Sequence, residues 1–173
     1  MESTKNSLPI NTIKFFKSLS EYTGTKPLFF GSIQRADYFP GNSDIDVDIF
    51  TENEKSTISK MQHFLNISKK KFKKAVWKLS SNGRMVYGYK LMYINEENNI
   101  KIEFSIYNEK FKHDILKEHI YKTKLPFYIT WFLIILKFFT YKIKLINKKN
   151  YSYLKKIIIT LGIGLPEDQF VSF

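Results

Sequence analysis

The stretch Phe29-Phe30-Gly31-Ser32-Ile33-Gln34-Arg35-Ala36-Asp37-Tyr38-Phe39-Pro40-Gly41-Asn42-Ser43-Asp44-Ile45-Asp46-Val47-Asp48-Ile49-Phe50 decides the fold. A short apolar run, Lys26 to Phe30, reads as a strand that ends at Gly31-Ser32 and opens a short helix. Unpaired backbone N–H groups and a hydroxyl then face outward together, which suits a phosphate. Asp44 to Phe50 reads as a second strand. Its period of two puts Asp44, Asp46 and Asp48 on one face and Ile45, Val47 and Ile49 on the other. The apolar face requires burial against helices. The acidic face piles up repelling carboxylates unless cations bind there. Residues two apart on a strand lie about 6.5–7 Å apart, close enough to converge on a metal pair about 3.5–4 Å wide. A hard, oxygen-seeking cation such as Mg²⁺ fits such donors, and the chain has no cysteine to favour a softer metal.

Working outward, Asn11 to Tyr22 has helical spacing (Ile13, Phe16, Leu19, Tyr22), with Gly24 as its terminator. Thr51 with Glu54 has capping-box spacing and predicts a helix from Glu52 to about Asn66 that buries Ile58, Met61 and Leu65. The basic run Lys69 to Lys74 reads as a solvated segment, and Ala75 to Leu79 fits strand or helix equally. Two alternating runs, Arg84 to Ile94 and Asn99 to Tyr107, joined by the polar stretch Asn95 to Asn98, predict an antiparallel pair. On the second run Lys101, Glu103, Ser105 and Tyr107 share the polar face, so Glu103 is the natural third carboxylate. After Asn108 the pattern is helical. Trp131, Ile135 and Phe138 are assigned to the core, and a last helix near Tyr151 to Leu161 ends at Gly162, Gly164 and Pro166. The expectation is an α+β chain with residues 1–108 as the catalytic core and 109–173 as a helical extension packed on it.

The chain has 173 residues, with 28 basic against 16 acidic, a formal charge of +12. The lack of cysteine excludes disulfide scaffolds, zinc fingers and thiol nucleophiles, and 43% hydrophobic content excludes wholesale disorder. The charge invites a polyanionic partner, but Arg35 and Arg84 are the only arginines, and an AT-rich coding sequence would also enrich lysine. Leu125 to Leu136 is uncharged but short of the ~20 residues that span a bilayer, so it reads as a buried core helix. With no apolar signal core near Met1, the expectation is an intracellular, cytoplasmic protein with no membrane partner.

Gly31-Ser32, eleven intervening residues, then Asp44-Ile45-Asp46-Val47 and a later strand carboxylate, Glu103, together resemble the nucleotidyltransferase superfamily that includes DNA polymerase beta. The resemblance implies a small mixed sheet with helices packed on it, and transfer of a nucleoside monophosphate from a nucleoside triphosphate (ATP among the candidates) to a hydroxyl. It implies two Mg²⁺ ions, with Mn²⁺ as a substitute. Carried over by position, Gly31 and Ser32 hold the outer phosphates. Asp44 and Asp46 bind both metals, and Glu103 binds one metal and helps deprotonate the attacking hydroxyl. Asp48 stands where the family usually has an apolar residue, so Asp46 with Asp48 is an alternative pair; otherwise Asp48 is expected to pair with Lys90 or Lys101. No Thr-Gly-Ser-type nucleotide clamp follows Glu103. Arg35, in the turn after the phosphate loop, is a triphosphate contact or a solvent-exposed side chain. Lys90 reaches substrate only if its strand face is the acidic one. His63, His113 and His119 lack ligand spacing and read as surface or helix residues. The acceptor is a nucleic-acid end by preference, with a protein or small-molecule hydroxyl open. An inactive, antitoxin-like binding module and a basic nucleic-acid-binding protein are the two rival readings. The sequence leaves the oligomeric state open.

Overall fold

The computed structural model describes residues 4–95, 100–164 and 170–172. The chain runs α1 (Ile10–Thr23), β1 (Leu28–Phe30), a single 3-10 turn (Gly31–Gln34), β2 (Ile45–Thr51), α2 (Glu54–Leu65), β3 (Lys73–Lys78), β4 (Met85–Asn95) and β5 (Ile100–Asn108). Three helices follow, α3 (Lys112–Thr123), α4 (Phe127–Tyr141) and α5 (Lys148–Ile163), and then a short strand, β6 (Phe170–Ser172). The sheet order is β1-β2-β5-β4-β3-β6. β2 and β5 run parallel and every other neighbouring pair is antiparallel, so the sheet is mixed and the fold is α+β. The expected β4–β5 pair forms, and Ala75 to Lys78 resolves as strand; the joining stretch 96–99 and Pro166 lie outside the described residues.

The period of two in β2 splits the sheet into two chemically different faces. Val47 and Ile49, with Ile102, Phe104, Ile106 and Leu91, bury one face against Phe16 and Leu19 of α1 and Ile58, Met61 and Leu65 of α2. Each such side chain contributes about 1.5–3 kcal/mol when removed from water. The other face carries the acidic residues and a smaller cluster, in which Leu28, Phe50, Val86 and Tyr107 meet Ile115 and Leu116 of α3. α3 is also pinned by Glu118, a 3% exposed carboxylate that accepts from the backbone N–H groups of Ser80 (3.4 Å) and Ser81 (3.0 Å) and pairs with Lys122. That anchor fixes the rotation of α3 over the acidic face.

Four local expectations need correction. Asn53, not Thr51, caps α2, accepting from the Ser56 N–H at 3.0 Å; Thr51 instead accepts from Asn53 N–H and Thr57 Oγ1. Gly162 lies inside α5, and Gly164, in left-handed conformation, ends it. Arg35 is buried rather than solvated, for reasons given below. The largest correction concerns α4. Trp131, Ile135 and Phe138 are exposed (65%, 41% and 47%), along with Phe127, Phe132 and Phe139, while Ile129, Leu133, Leu136, Lys137 and Thr140 face inward. The segment from Leu125 is therefore a core helix on one side only.

The inward lysine explains the rotation. Lys137, 2% exposed, places Nζ 2.9 Å from the Asp37 carboxylate and donates to the Asp37 carbonyl (2.5 Å) and Ser43 Oγ (3.3 Å). Asp37, fully buried, also holds Arg35 through two bonds of 2.8 and 3.1 Å. A buried carboxylate must be paired. Burial alone would raise the Asp37 carboxyl, but Arg35 and Lys137 outweigh it and hold it below its ordinary range.

Candidate active site

Gly31-Ser32 sits where β1 runs into the 3-10 turn, beside β2. Gly31 has φ +69°, and a Cβ built on it would fall 2.0 Å from Asp46 Oδ2. Only glycine lets the turn lie against that carboxylate. Ser32 is buried in the turn. In the register of the sheet Phe30 stands opposite Asp46, Asp46 opposite Glu103, and Asp48 opposite Ser105, all on the face covered by α3. Lys90 stands opposite Ser105 on the same face and forms an ion pair with Glu103.

Asp44 precedes β2 and is exposed, within electrostatic reach of Glu103, Lys101 and Lys155. Asp46 is half-buried. Burial first, then repulsion from Glu103 and Asp44, pushes its carboxyl up to about 6, against the pull of Lys155 and Lys90. Asp48 is 1% exposed; its hydrogen-bond partner is His119, whose Nε2 lies 2.6 Å from its Oδ2, and Lys90 also acts on it electrostatically. The expected partner is thus corrected. So is the reading of His119 as a bystander, since its ring turns inward and stacks on Phe30 at 4.0 Å between centroids and 19° between planes.

A cleft of about 380 Å³ opens over these groups. Gly31, Ser32 and Asp46 line it, with Arg35, Lys90, Lys122 and Lys155 as cations and Trp77 and Tyr107 as aromatic wall. The structure therefore brings Gly31, Ser32, Arg35, Asp46 and Lys90 to one cleft, with Glu103 beside Lys90 and Asp44 near the group. Arg35 reaches the cleft while tied to Asp37. His119, Lys122 and Thr123 of α3 and Lys155 of α5 also line it, and sequence reasoning missed them. No local pattern sets Lys155 apart in so lysine-rich a chain, and Asp48, an acidic residue at an apolar position, was the one signal that a cation or imidazole had to meet it.

Among the described residues no three His, Asp or Glu side chains are grouped as a preformed metal cluster. The donor chemistry nonetheless fits a hard cation. The donors are all oxygen, and the sheet register sets the Asp46 carboxylate beside Glu103. No helix among the described residues is long and apolar enough to cross a membrane.

The sequence model of the nucleotidyltransferase domain covers residues 10–160, from α1 through most of α5. No curated protein and no solved structure matches the chain.

Proposed function

The chain belongs to the nucleotidyltransferase domain family and is a transferase of nucleotidyl groups; from that premise we propose that it moves a nucleoside monophosphate from a nucleoside triphosphate to a hydroxyl, with a nucleic-acid end as the favoured acceptor. Asp44, Asp46 and Glu103 would hold two Mg²⁺ ions, or Mn²⁺ in their place. When bound, such ions neutralise triphosphate charge and lower the pKa of a coordinated hydroxyl. The chain's own groups do the rest. Gly31 and Ser32 offer backbone N–H groups and a hydroxyl to the outer phosphates. Arg35 and Lys90, with Lys155, balance the triphosphate's charge along the cleft. Lys90 also forms an ion pair with Glu103. The acceptor hydroxyl gives up its proton with help from Glu103, its oxygen forms the bond to the α-phosphorus, the bond to the β-phosphate oxygen breaks, and pyrophosphate leaves.

The observation that carries this reading is the parallel register that sets Asp46 beside Glu103, directly under the Gly31 turn. The +12 charge favours a polyanionic acceptor. Residues 1–108 serve as the catalytic core, and 109–173 as an extension that closes the cleft through α3 and α5. The test is incubation with each α-labelled nucleoside triphosphate, Mg²⁺, and single-stranded RNA or DNA. Label transfer should occur and vanish in Asp44→Ala and in Asp46→Ala. Transfer that survives both substitutions refutes the assigned carboxylates.

A further inference from the structure

The rotation of α4 leaves Phe127, Trp131, Phe132, Ile135, Phe138 and Phe139 in water, from 38% exposed at Phe139 to 81% at Phe127. At ~150–250 Å² for a large side chain they present about 500–800 Å² of apolar surface, at or above the ~300–600 Å² of the largest patch on a typical monomer. Lys137 is the only charged residue of α4 and lies inward on Asp37, so no charge interrupts this face. The inner side is fixed. Ile129 sits so close to Gly162 of α5 that no Cβ fits there, and at the other end Tyr141 packs on Tyr151, 5.6 Å between rings. α4 and α5 are thus an antiparallel pair, and these contacts hold the aromatic face outward.

The rim of the face is basic. From His119 to Gly164 the sequence has nine lysines and no aspartate or glutamate. Lys124 precedes α4, Lys142 and Lys144 follow it, Lys148 and Lys149 open α5, and all five are exposed. An apolar face with lysines at both ends is complementary to an anionic lipid surface, which takes aromatic side chains into its head-group boundary and lysines onto its phosphates. A second copy would set these lysines against its own, with no carboxylate in the segment to pair them. A nucleic-acid strand laid along α4 would meet no cation for its phosphates between Phe127 and Leu136. The 15 residues of α4 measure roughly 22 Å, short of the ~30 Å hydrocarbon core, so the helix can lie in a membrane surface and not across it.

We propose that α4 docks the protein on an anionic membrane surface, with Phe127, Trp131, Phe132 and Phe138 in the head-group boundary and Lys124, Lys142 and Lys144 on the lipid phosphates. A fully buried helix at Leu125 to Leu136 would leave the chain without a membrane partner; the exposure of Trp131 and its neighbours removes that ground. The docking concerns where the chain sits and is independent of the chemistry of the cleft.

The probes are vesicles of phosphatidylcholine alone and of phosphatidylcholine with phosphatidylserine, mixed with the full chain and recovered by flotation. The chain should float with the serine-containing vesicles and stay behind with phosphatidylcholine alone. Brominated lipid should quench its tryptophan fluorescence. Trp131→Phe should still float and lose most of that quenching, which locates position 131 in the lipid. Phe132→Asp, at an exposed position, should keep the parent's circular dichroism and melting curve and bind more than about 10-fold more weakly. Lys142→Gln combined with Lys144→Gln should weaken binding about 10–30-fold. No flotation of the unaltered chain, equal recovery with and without phosphatidylserine, or unchanged binding in a folded Phe132→Asp overturns the proposal. A dimer in lipid-free solution that Phe132→Asp dissociates overturns it in favour of a second copy. Binding to single-stranded RNA that weakens in Phe132→Asp overturns it in favour of nucleic acid.

Discussion

Replacing Asp46 by asparagine should make the metal-free protein more stable while abolishing its activity. The carboxyl is raised from an ordinary 3.8 to about 6 by burial and by Glu103 and Asp44. A carboxyl with a higher pKa in the fold binds more protons folded than unfolded between those two values. Stability therefore falls as pH rises through that window, and the full penalty is present above about pH 6. At 1.36 kcal/mol per pH unit, the interval corresponds to about 3 kcal/mol. Since Asp46 is only half-buried, water screens part of this, and a gain of about 2 kcal/mol in Asp46→Asn is expected at pH 7.5. Near pH 4 the gain should shrink toward zero, because the native carboxyl is then protonated. In a chain of this size 2 kcal/mol shifts the melting temperature by about 4–8 °C. The assay is urea and thermal unfolding in a chelator at both pH values, repeated with Mg²⁺, which should stabilise the unaltered chain and not the variant. A variant no more stable than the parent at pH 7.5, or a gain that does not depend on pH, would refute the account of a carboxylate penalised by burial and by its acidic neighbours.

Two other substitutions separate the phosphate turn from the scaffold that carries it. Gly31→Ala forces a methyl group to within 2.0 Å of Asp46 Oδ2 at a backbone φ of +69°, so it should cost about 1–3 kcal/mol in urea unfolding and abolish transfer. Lys137→Met removes one cation from fully buried Asp37 and leaves Arg35 as the other, so a loss of about 3 kcal/mol is expected at neutral pH. Because Asp37 titrates below its ordinary range, its contribution is present above the unfolded carboxyl's pKa and disappears as pH falls through the folded one. Urea titrations at pH 7 and pH 3.5 should show the deficit of Lys137→Met narrowing in acid; a deficit that is constant or grows would count against this pairing.

The parts of the molecule legible in the sequence are those whose chemistry is local. Gly31-Ser32 and Asp44 to Phe50 announce a turn and a half-acidic strand within twenty residues, and simple alternation is enough to put Glu103 on the matching face. Contacts between a helix and the sheet leave no such pattern. Nothing near His119 shows that it meets Asp48, and nothing near Lys155 shows that it reaches the cleft. α4 misleads for a different reason. Its sequence is apolar on nearly every side, so Trp131, Ile135 and Phe138 have the spacing of a buried stripe as surely as Ile129, Leu133 and Leu136 do. The choice between faces falls to the one charged residue, and Lys137 turns inward because Asp37 is there to receive it.

The span of these pairings also constrains the order in which a newly made chain becomes a working one. Asp48 and His119 are 71 positions apart, and Asp37 and Lys137 are 100 apart. Contacts over such separations form late, after the chain entropy of the intervening loop has been lost. A nascent chain that has emerged only through β4 carries the phosphate turn and Asp46 but lacks Glu103, His119 and the lysine that neutralises Asp37. For that interval its acidic strand has neither its parallel neighbour β5 nor its covering helix α3, and its inner edge lies open. Synthesis halted there yields an exposed strand edge beside an incomplete cleft, so the fold gains its stability and its cleft together, once β5, α3, α4 and α5 have been made.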